Sequence, residues 1–306
     1  MKKFITKVLL FFVFVIIADI GVGKLGDYMW TNSKGGYTKQ SADFALHDIH
    51  DVIVFGSSRA KHHYDTPFLS DTMALNVYNA GSDGSGIILA TGLCELAISR
   101  YKPKLIIYDV TFSFDIIDNP QDNNDVRYIK WLKPYYRNPA IGAIIKDVKK
   151  EEWYKVHSGL IRYNSSFITM AQDFFISKEL GNNGYEPMKG QLNAIEDNVV
   201  TNEVISSVDS LKLKYIEKFI NLAQTNNIPI VFIKSPRLGA KDSDIIQPIK
   251  DVCSRYQVPF WDFRSNVLFQ KPNLFCDHSH LNEEGARVFS RVVVEEILDK
   301  QLLKFE

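Results

Sequence analysis

Two short runs at opposite ends of the chain hold the residue types that acyl-transfer chemistry needs. One is Phe55-Gly56-Ser57-Ser58-Arg59, directly after an apolar stretch. The other is Asp277-His278-Ser279-His280-Leu281-Asn282, directly before a helical pattern. A serine hydroxyl becomes a competent nucleophile only with a base in reach, and an imidazole serves best when a carboxylate fixes its tautomer. Asp277 and His280 are close enough in sequence for one loop to aim both into one crevice. The chain order is then Ser58, Asp277, His280. Asn282 is the better cap for a helix beginning at Glu283, which leaves Asp277 for another duty. Taken alone, each run has an ordinary reading too. Gly-Ser-Ser is common turn chemistry, D-x-x-H is a common helix start, and Ala60 departs from the G-x-S-x-G elbow.

A third run, Asn79-Ala80-Gly81-Ser82-Asp83-Gly84, has the spacing G-x-x-G-x-G rather than the dinucleotide fingerprint G-x-G-x-x-G. Glycine after a strand lets the backbone approach closely, with its N–H free to point at a developing oxyanion. The remaining polar residues carry weaker signals. His62 and His63 read as surface histidines before metal ligands. Asp277, His278 and His280 have metal-binding types, but no second ligand cluster accompanies them. Arg59 and Arg237 follow strand ends, where a structural or solvated role outweighs capture of an anionic substrate group.

The three runs, in this order, resemble the SGNH (GDSL-type) hydrolase superfamily over roughly residues 50 to 295. Its GDS loop is similar to Gly56-Ser57-Ser58, its N-x-G-x-x-G block to Asn79–Gly84, and its D-x-x-H to Asp277–His280. The resemblance implies a three-layer α/β/α, flavodoxin-like fold. It implies Ser58 as nucleophile, His280 as base and Asp277 as the orienting carboxylate, with backbone N–H groups of Ser58 and Gly84 in an oxyanion hole. It implies no cofactor and no metal. One departure stands out. The family places an asparagine after the third strand, and here Tyr108-Asp-Val-Thr-Phe-Ser-Phe114 puts Ser113 near that position. Ser113 or Thr111 is then the substitute donor. A hole short of one donor loses about 10²–10³ in rate.

The elements that must position these loops are legible as apolar runs. Asp51–Gly56, Lys104–Val110, Asn227–Lys234 and Val258–Phe263 are strand-like, and Ala74–Tyr78 leads into the Asn79 loop. Ile87–Arg100 and Glu283–Phe305 carry apolar residues at helical spacing. Strands that are apolar throughout and alternate with helices predict a parallel sheet covered on both faces, with ligands at the carboxyl ends of its strands. Between residues 119 and 208 aromatics are dense and no clear strand emerges. This predicts a mainly helical insertion, equally open to a lid and to a packing role.

The N-terminus reads as a membrane address. Lys2, Lys3 and Lys7 flank or precede Val8–Ala18, an unbroken apolar run that Ile20–Val22 extends past Asp19. As a helix, Phe4–Val22 would reach roughly 28 Å, near the hydrocarbon thickness. The lysines favour a cytoplasmic N-terminus. An uncleaved signal anchor is preferred to a cleaved signal peptide, whose small-residue site would be Gly21-Val22-Gly23. The expected organisation is an anchor over 1–25, a polar stalk over 26–45 (clearest in Thr31–Ala42), and the SGNH-like domain over 46–306. The 306 residues carry 36 Lys+Arg against 36 Asp+Glu, so no charge excess points to nucleic acid. The 3 cysteines, Cys94, Cys253 and Cys276, lack the spacing of a zinc or redox motif.

The expected function is an extracytoplasmic, membrane-anchored serine esterase or O-acyltransferase. Its expected substrate is an acylated carbohydrate or other ester, with acetyl groups on envelope or extracellular polysaccharide preferred. The alternative is a non-catalytic protein of the same fold that partners an integral membrane acyltransferase.

Overall fold

The computed structural model describes residues 1–118, 124–177, 180–192, 207–239 and 246–303. Its first elements are α1 (Lys2–Thr31), α2 (Gly36–Leu46), β1 (Val52–Gly56), α3 (Ser58–His63), α4 (Thr66–Met73), β2 (Val77–Asn79), α5 (Ile87–Ile98), β3 (Leu105–Asp109) and α6 (Phe112–Asp115). There follow α7 (Asn124–Tyr128), α8 (Pro139–Val148), α9 (Lys150–Lys155), α10 (Gly159–Arg162) and α11 (Phe167–Phe175). The chain closes with α12 (Ser210–Thr225), β4 (Ile230–Lys234), α13 (Gln247–Arg255), β5 (Phe260–Asp262) and α14 (Glu283–Asp299). Two units divide it: Met1–Asp48 with Val126–Leu180, and Ile49–Asp125 with Gly181–Glu306.

The second unit is built on a sheet with strand order β2-β1-β3-β4-β5, every pairing parallel. This is the flavodoxin-like order, whose direction of winding reverses between β1 and β3. Strand residues are buried on both sides because helices cover both faces, giving the three-layer α/β/α arrangement. Val52, Val54, Ile107 and Val231 face a cluster with Leu69 of α4 and Phe289, Val293 and Ile297 of α14. On the other face the rings of Phe55, Tyr108 and Phe232 pack around Phe219 of α12. The two ends of the expected insertion meet within this unit: Ile117 and Val208 form an antiparallel bridge, and the Asp118 N–H donates to Ser207 O at 2.9 Å. The elements described within the insertion are helical, residues 185–192 are irregular, and 119–123, 178–179 and 193–206 lie outside the described residues.

The closing helix ends at Asp299, short of the expected Phe305. Gln301 takes a left-handed φ of 53°, the Gln301 N–H donates to Leu298 O, and the Leu302 N–H donates to Ile297 O. That pair of bonds is a Schellman stop.

In the first unit α1 is one continuous helix, and none of the residues of its most apolar stretch, with mean hydropathy 2.5, is buried. Its second half is core. Met29 and Trp30 are buried with Ala42, Tyr163 and Met170. The Asp19 carboxylate accepts from Ser158 Oγ (2.6 Å) and from the N–H groups of Gly159 (3.1 Å) and Leu160 (3.0 Å), capping α10. Gly23 lies against Gly159, and a Cβ on Gly26 would collide with the Tyr163 ring. The span 26–45, expected as a stalk, instead holds the end of α1 and all but the last residue of α2. The reason is Asp173. Its backbone oxygen accepts from Lys34 and Gly35, its carboxylate from the Thr38 N–H, and Gly36 turns the chain at φ 66°.

Candidate functional site

Ser58 is the first residue of α3, directly beyond the carboxyl end of β1. Gly56 makes that junction possible: it sits at φ 144°, and a Cβ there would press on Asp109 O and Ala60 Cβ. Ser57 is the cap, accepting from the Arg59 N–H at 3.4 Å and sharing a 2.5 Å hydrogen bond with Thr111 Oγ1 beyond β3. Of the two adjacent serines one is therefore committed to structure. Ser58 Oγ lies 2.9 Å from His280 Nε2.

His280 Nδ1 is 2.9 Å from Asp277 Oδ2 and 3.1 Å from Oδ1, and Asp277 Oδ1 also accepts the N–H groups of Ser279 (2.7 Å) and His280 (2.8 Å). A carboxylate on Nδ1 fixes the proton there and leaves the Nε2 lone pair toward Ser58. Partial burial pushes the Asp277 carboxyl up, but the His280 hydrogen bond and the two N–H groups outweigh it and hold it at about 2. It is therefore ionised at neutral pH. Asn282 Oδ1 accepts the Gly285 N–H at 2.9 Å and so caps α14, leaving Asp277 to the histidine.

No protein-family model and no curated relative matches the sequence. Solved structures align only distantly. A candidate acylhydrolase from Bacteroides fragilis shares 13% identity at a TM-score of 0.45, over 87% of this chain and 97% of its own. The acetyl xylan esterase AlAXEase shares 11% at 0.42, over 80% and 99%. A GDSL-like lipase from Bacteroides thetaiotaomicron shares 10% at 0.39, over 81% and 88%. At such distances these likenesses carry no functional argument for this chain.

A cavity of about 260 Å³ opens beside Ser58 and His280, lined also by Arg59, Thr111–Phe114, Lys234, Arg237 and Ser279. Ser113 lines it and is exposed, whereas the Thr111 hydroxyl is tied to Ser57 and to Arg59 Nε. Of the two donors expected to replace the asparagine, Ser113 is the one open to the cavity. Gly84 is not among the lining residues. It occupies a turn closed by Ser85 N–H to Ser82 O, at φ 69°, and the adjacent Asp83 is drawn to Lys61 (2.8 Å) and His62 (3.3 Å). The Asn79 loop meets α3 elsewhere: Asn79 Nδ2 donates to Ala60 O at 2.7 Å, and Gly81 packs on the Lys61 backbone.

His63 corrects the surface reading. It is fully buried, its Nε2 accepts the Leu281 N–H at 3.1 Å, and its Nδ1 donates to Ser235 Oγ at 3.0 Å. Burial and the nearby Arg59 keep it neutral, well below the usual histidine range. It ties the helix that begins with Ser58 to the residue following His280. His62 stands edge-on to the His280 ring at 5.7 Å. Burial opposes its protonation, but Asp83 and the Glu186 carbonyl prevail and raise its pKa. Arg59 is buried and donates to Val110 O at 2.7 Å, so its main commitment is to the backbone beyond β3.

Sequence reasoning passed over a buried carboxylate that shapes the cavity wall. Asp115 accepts from Tyr108 OH (2.6 Å) and from the N–H groups of Ile87 (2.9 Å) and Thr111 (2.6 Å). Burial lifts it to about 6 despite those three donors. The signal available was an acidic residue four positions after Thr111 in an otherwise apolar run.

Proposed function

We propose that the chain is a membrane-anchored serine acyl-transfer enzyme of the SGNH type, with Ser58 as nucleophile, His280 as base and Asp277 orienting the base. The observation that carries this reading is the 2.9 Å approach of Ser58 Oγ to His280 Nε2 with a carboxylate on the opposite nitrogen. His280 takes the Ser58 proton as Oγ attacks the acyl carbon, and the carbonyl oxygen becomes an oxyanion. The N–H of Ser58, unpartnered within α3 because it is at the helix start, and the Ser113 hydroxyl are the donors for that charge. A contribution from Gly84 N–H rests on the family resemblance alone. Collapse returns the proton to the leaving alkoxide and leaves the acyl group on Ser58. Water or a second hydroxyl, deprotonated by His280, then releases it.

The substrate class is a short-chain, preferably acetyl, ester on envelope or extracellular polysaccharide. A cavity of about 260 Å³ suits a small acyl group, and a tethered enzyme meets surface glycans. Hydrolysis and transfer use the same residues and differ only in the acceptor. The lysines before α1 favour an extracytoplasmic body. The contacts of Asp19 and Gly23 with α10 favour an uncleaved helix, since cutting after Gly23 would discard both. The second reading, a non-catalytic partner of an integral membrane acyltransferase, is favoured by Ser113 standing where the family has asparagine.

The test is labelling of the full-length protein in detergent with a fluorophosphonate, followed by peptide mapping. Adduct on Ser58, lost in His280→Ala, is expected. A chain that neither labels nor turns over an ester or acyl donor would favour the scaffold. A reporter fused to the C-terminus should be active only in its export-dependent form.

A further inference from the structure

The apolar helix is shorter than it looks. Its bare part, Phe4–Ile17, is about 21 Å long at 1.5 Å per residue, against a hydrocarbon layer of about 30 Å. About twenty residues are needed to cross that layer, which from Phe4 ends at Gly23, just before the exposed Lys24. Residues 18–23 therefore lie within the outer part of the layer, where Ile20 and Gly21 stay exposed but Asp19 and Gly23 are covered. Asp19 and Gly23 are the residues on which Ser158 and α10 are seated.

Three features of α10 fit lipid at that depth. Leu160 and Ile161 are exposed, at 48% and 47%, on the same turn that packs on the span. Both Asp19 oxygens accept hydrogen bonds from α10 and Ser158, so the carboxylate needs no water for partners. Gly159 and Arg162 are buried against α1, and Arg162 reaches outward to the Gly23 carbonyl and Asp27. The charged group thus leaves the layer while the two aliphatic ones stay in it.

We infer that α10 is a re-entrant foot in the outer leaflet, its Leu160 and Ile161 side chains in contact with lipid chains. The occupant of this surface is the bilayer itself, because the exposed pair stands on the turn seated on Asp19 and Gly23 of the apolar helix. The inference rests on the reading of α1 as a membrane span.

Single cysteines in a Cys276→Ser background test it, with the full chain in vesicles of phosphatidylcholine and phosphatidylglycerol. A spin label at each site reports accessibility to oxygen and to a water-soluble nickel chelate. Val13, Ile20 and Asn32 supply a depth scale along α1. Labels at Leu160 and Ile161 should match Ile20, with an oxygen-to-nickel ratio several-fold above that of Asn32. Ratios like that of Asn32, while Val13 stays lipid-exposed, would overturn the foot and leave the span standing. That outcome would place the pair in water above the bilayer. A nickel-accessible Val13 would overturn the span and the foot together. Thermal melting of each labelled protein shows whether α10 remains folded, and Leu160→Ser with the label at Ile161 repeats the reading without the first side chain.

Discussion

Replacing His63 by leucine probes how the base is held. The side chain is fully buried, and leucine fills similar space without either hydrogen bond. The Leu281 N–H would lose its partner at 3.1 Å in surroundings closed to water, and the Ser235 hydroxyl would lose the His63 donor at 3.0 Å while keeping Asp109. An unsatisfied buried group costs about 1–3 kcal/mol, and one such N–H sets the expected loss. In a chain of this size that is a fall of roughly 3–10 °C in apparent melting temperature. Leu281 follows His280, so the base loop should also slacken, and misplacement near 1 Å costs up to about 10²-fold. The assay is the rate of fluorophosphonate labelling beside a thermal melt, repeated in Ser235→Ala and in the double variant. The double variant should lose less than the sum of the singles, because both share one hydrogen bond. A His63→Leu protein that melts and labels like wild type would refute the reasoning.

Other substitutions and conditions test the rest of the site. Ser58→Ala and His280→Ala should each abolish turnover of an acetylated glycan, and their effects should not multiply when combined. Asp277→Asn should be less severe but still large, through the wrong imidazole tautomer; a Ser58→Ala protein with full turnover would end the serine mechanism. Ser113→Ala should lower turnover by about 10–10³-fold with an unchanged melt, and unaltered turnover would remove it from the oxyanion hole. Asp115, lifted to about 6, keeps a proton in the folded state that the unfolded chain has lost above 3.8. Its contribution to stability should therefore fall as pH rises from about 4 to about 6, by about 3 kcal/mol at most. Asp109, raised chiefly by burial, acts in the same direction; His63, kept neutral in the fold, acts in the opposite one; Asp277 and Asp262 titrate below that window. The stability of wild type relative to Asp115→Asn should fall across the window, and a difference that stays level or rises would contradict this assignment.

The sheet was legible because its central strands are buried on both faces and therefore apolar over most of their length, as in Leu105–Tyr108. The Asp277–His280 pairing was legible because it is local. What escaped depends on long-range contact. Nothing in the His62-His63 pair distinguishes the exposed-looking dipeptide from one whose second member is fixed by Ser235 and Leu281, 172 and 218 residues away. The polar composition of Thr31–Ala42 suggests a loose tether, yet Asp173 supplies the acceptors that fold it. Ser113 was placed by sequence near the missing asparagine, but only the Ser57–Thr111 contact separates it from Thr111 as a donor.

The joint between α1 and α10 also sets an order of events at birth. Asp19 leaves the ribosome 139 residues before Ser158 does. At ordinary synthesis rates that gap is about 7–28 s. During it the Asp19 carboxylate lacks its three donors, and Gly26 lacks the ring that fills its groove. The nascent helix therefore waits with a vacant seat, and the first unit closes only after the first three strands have been made.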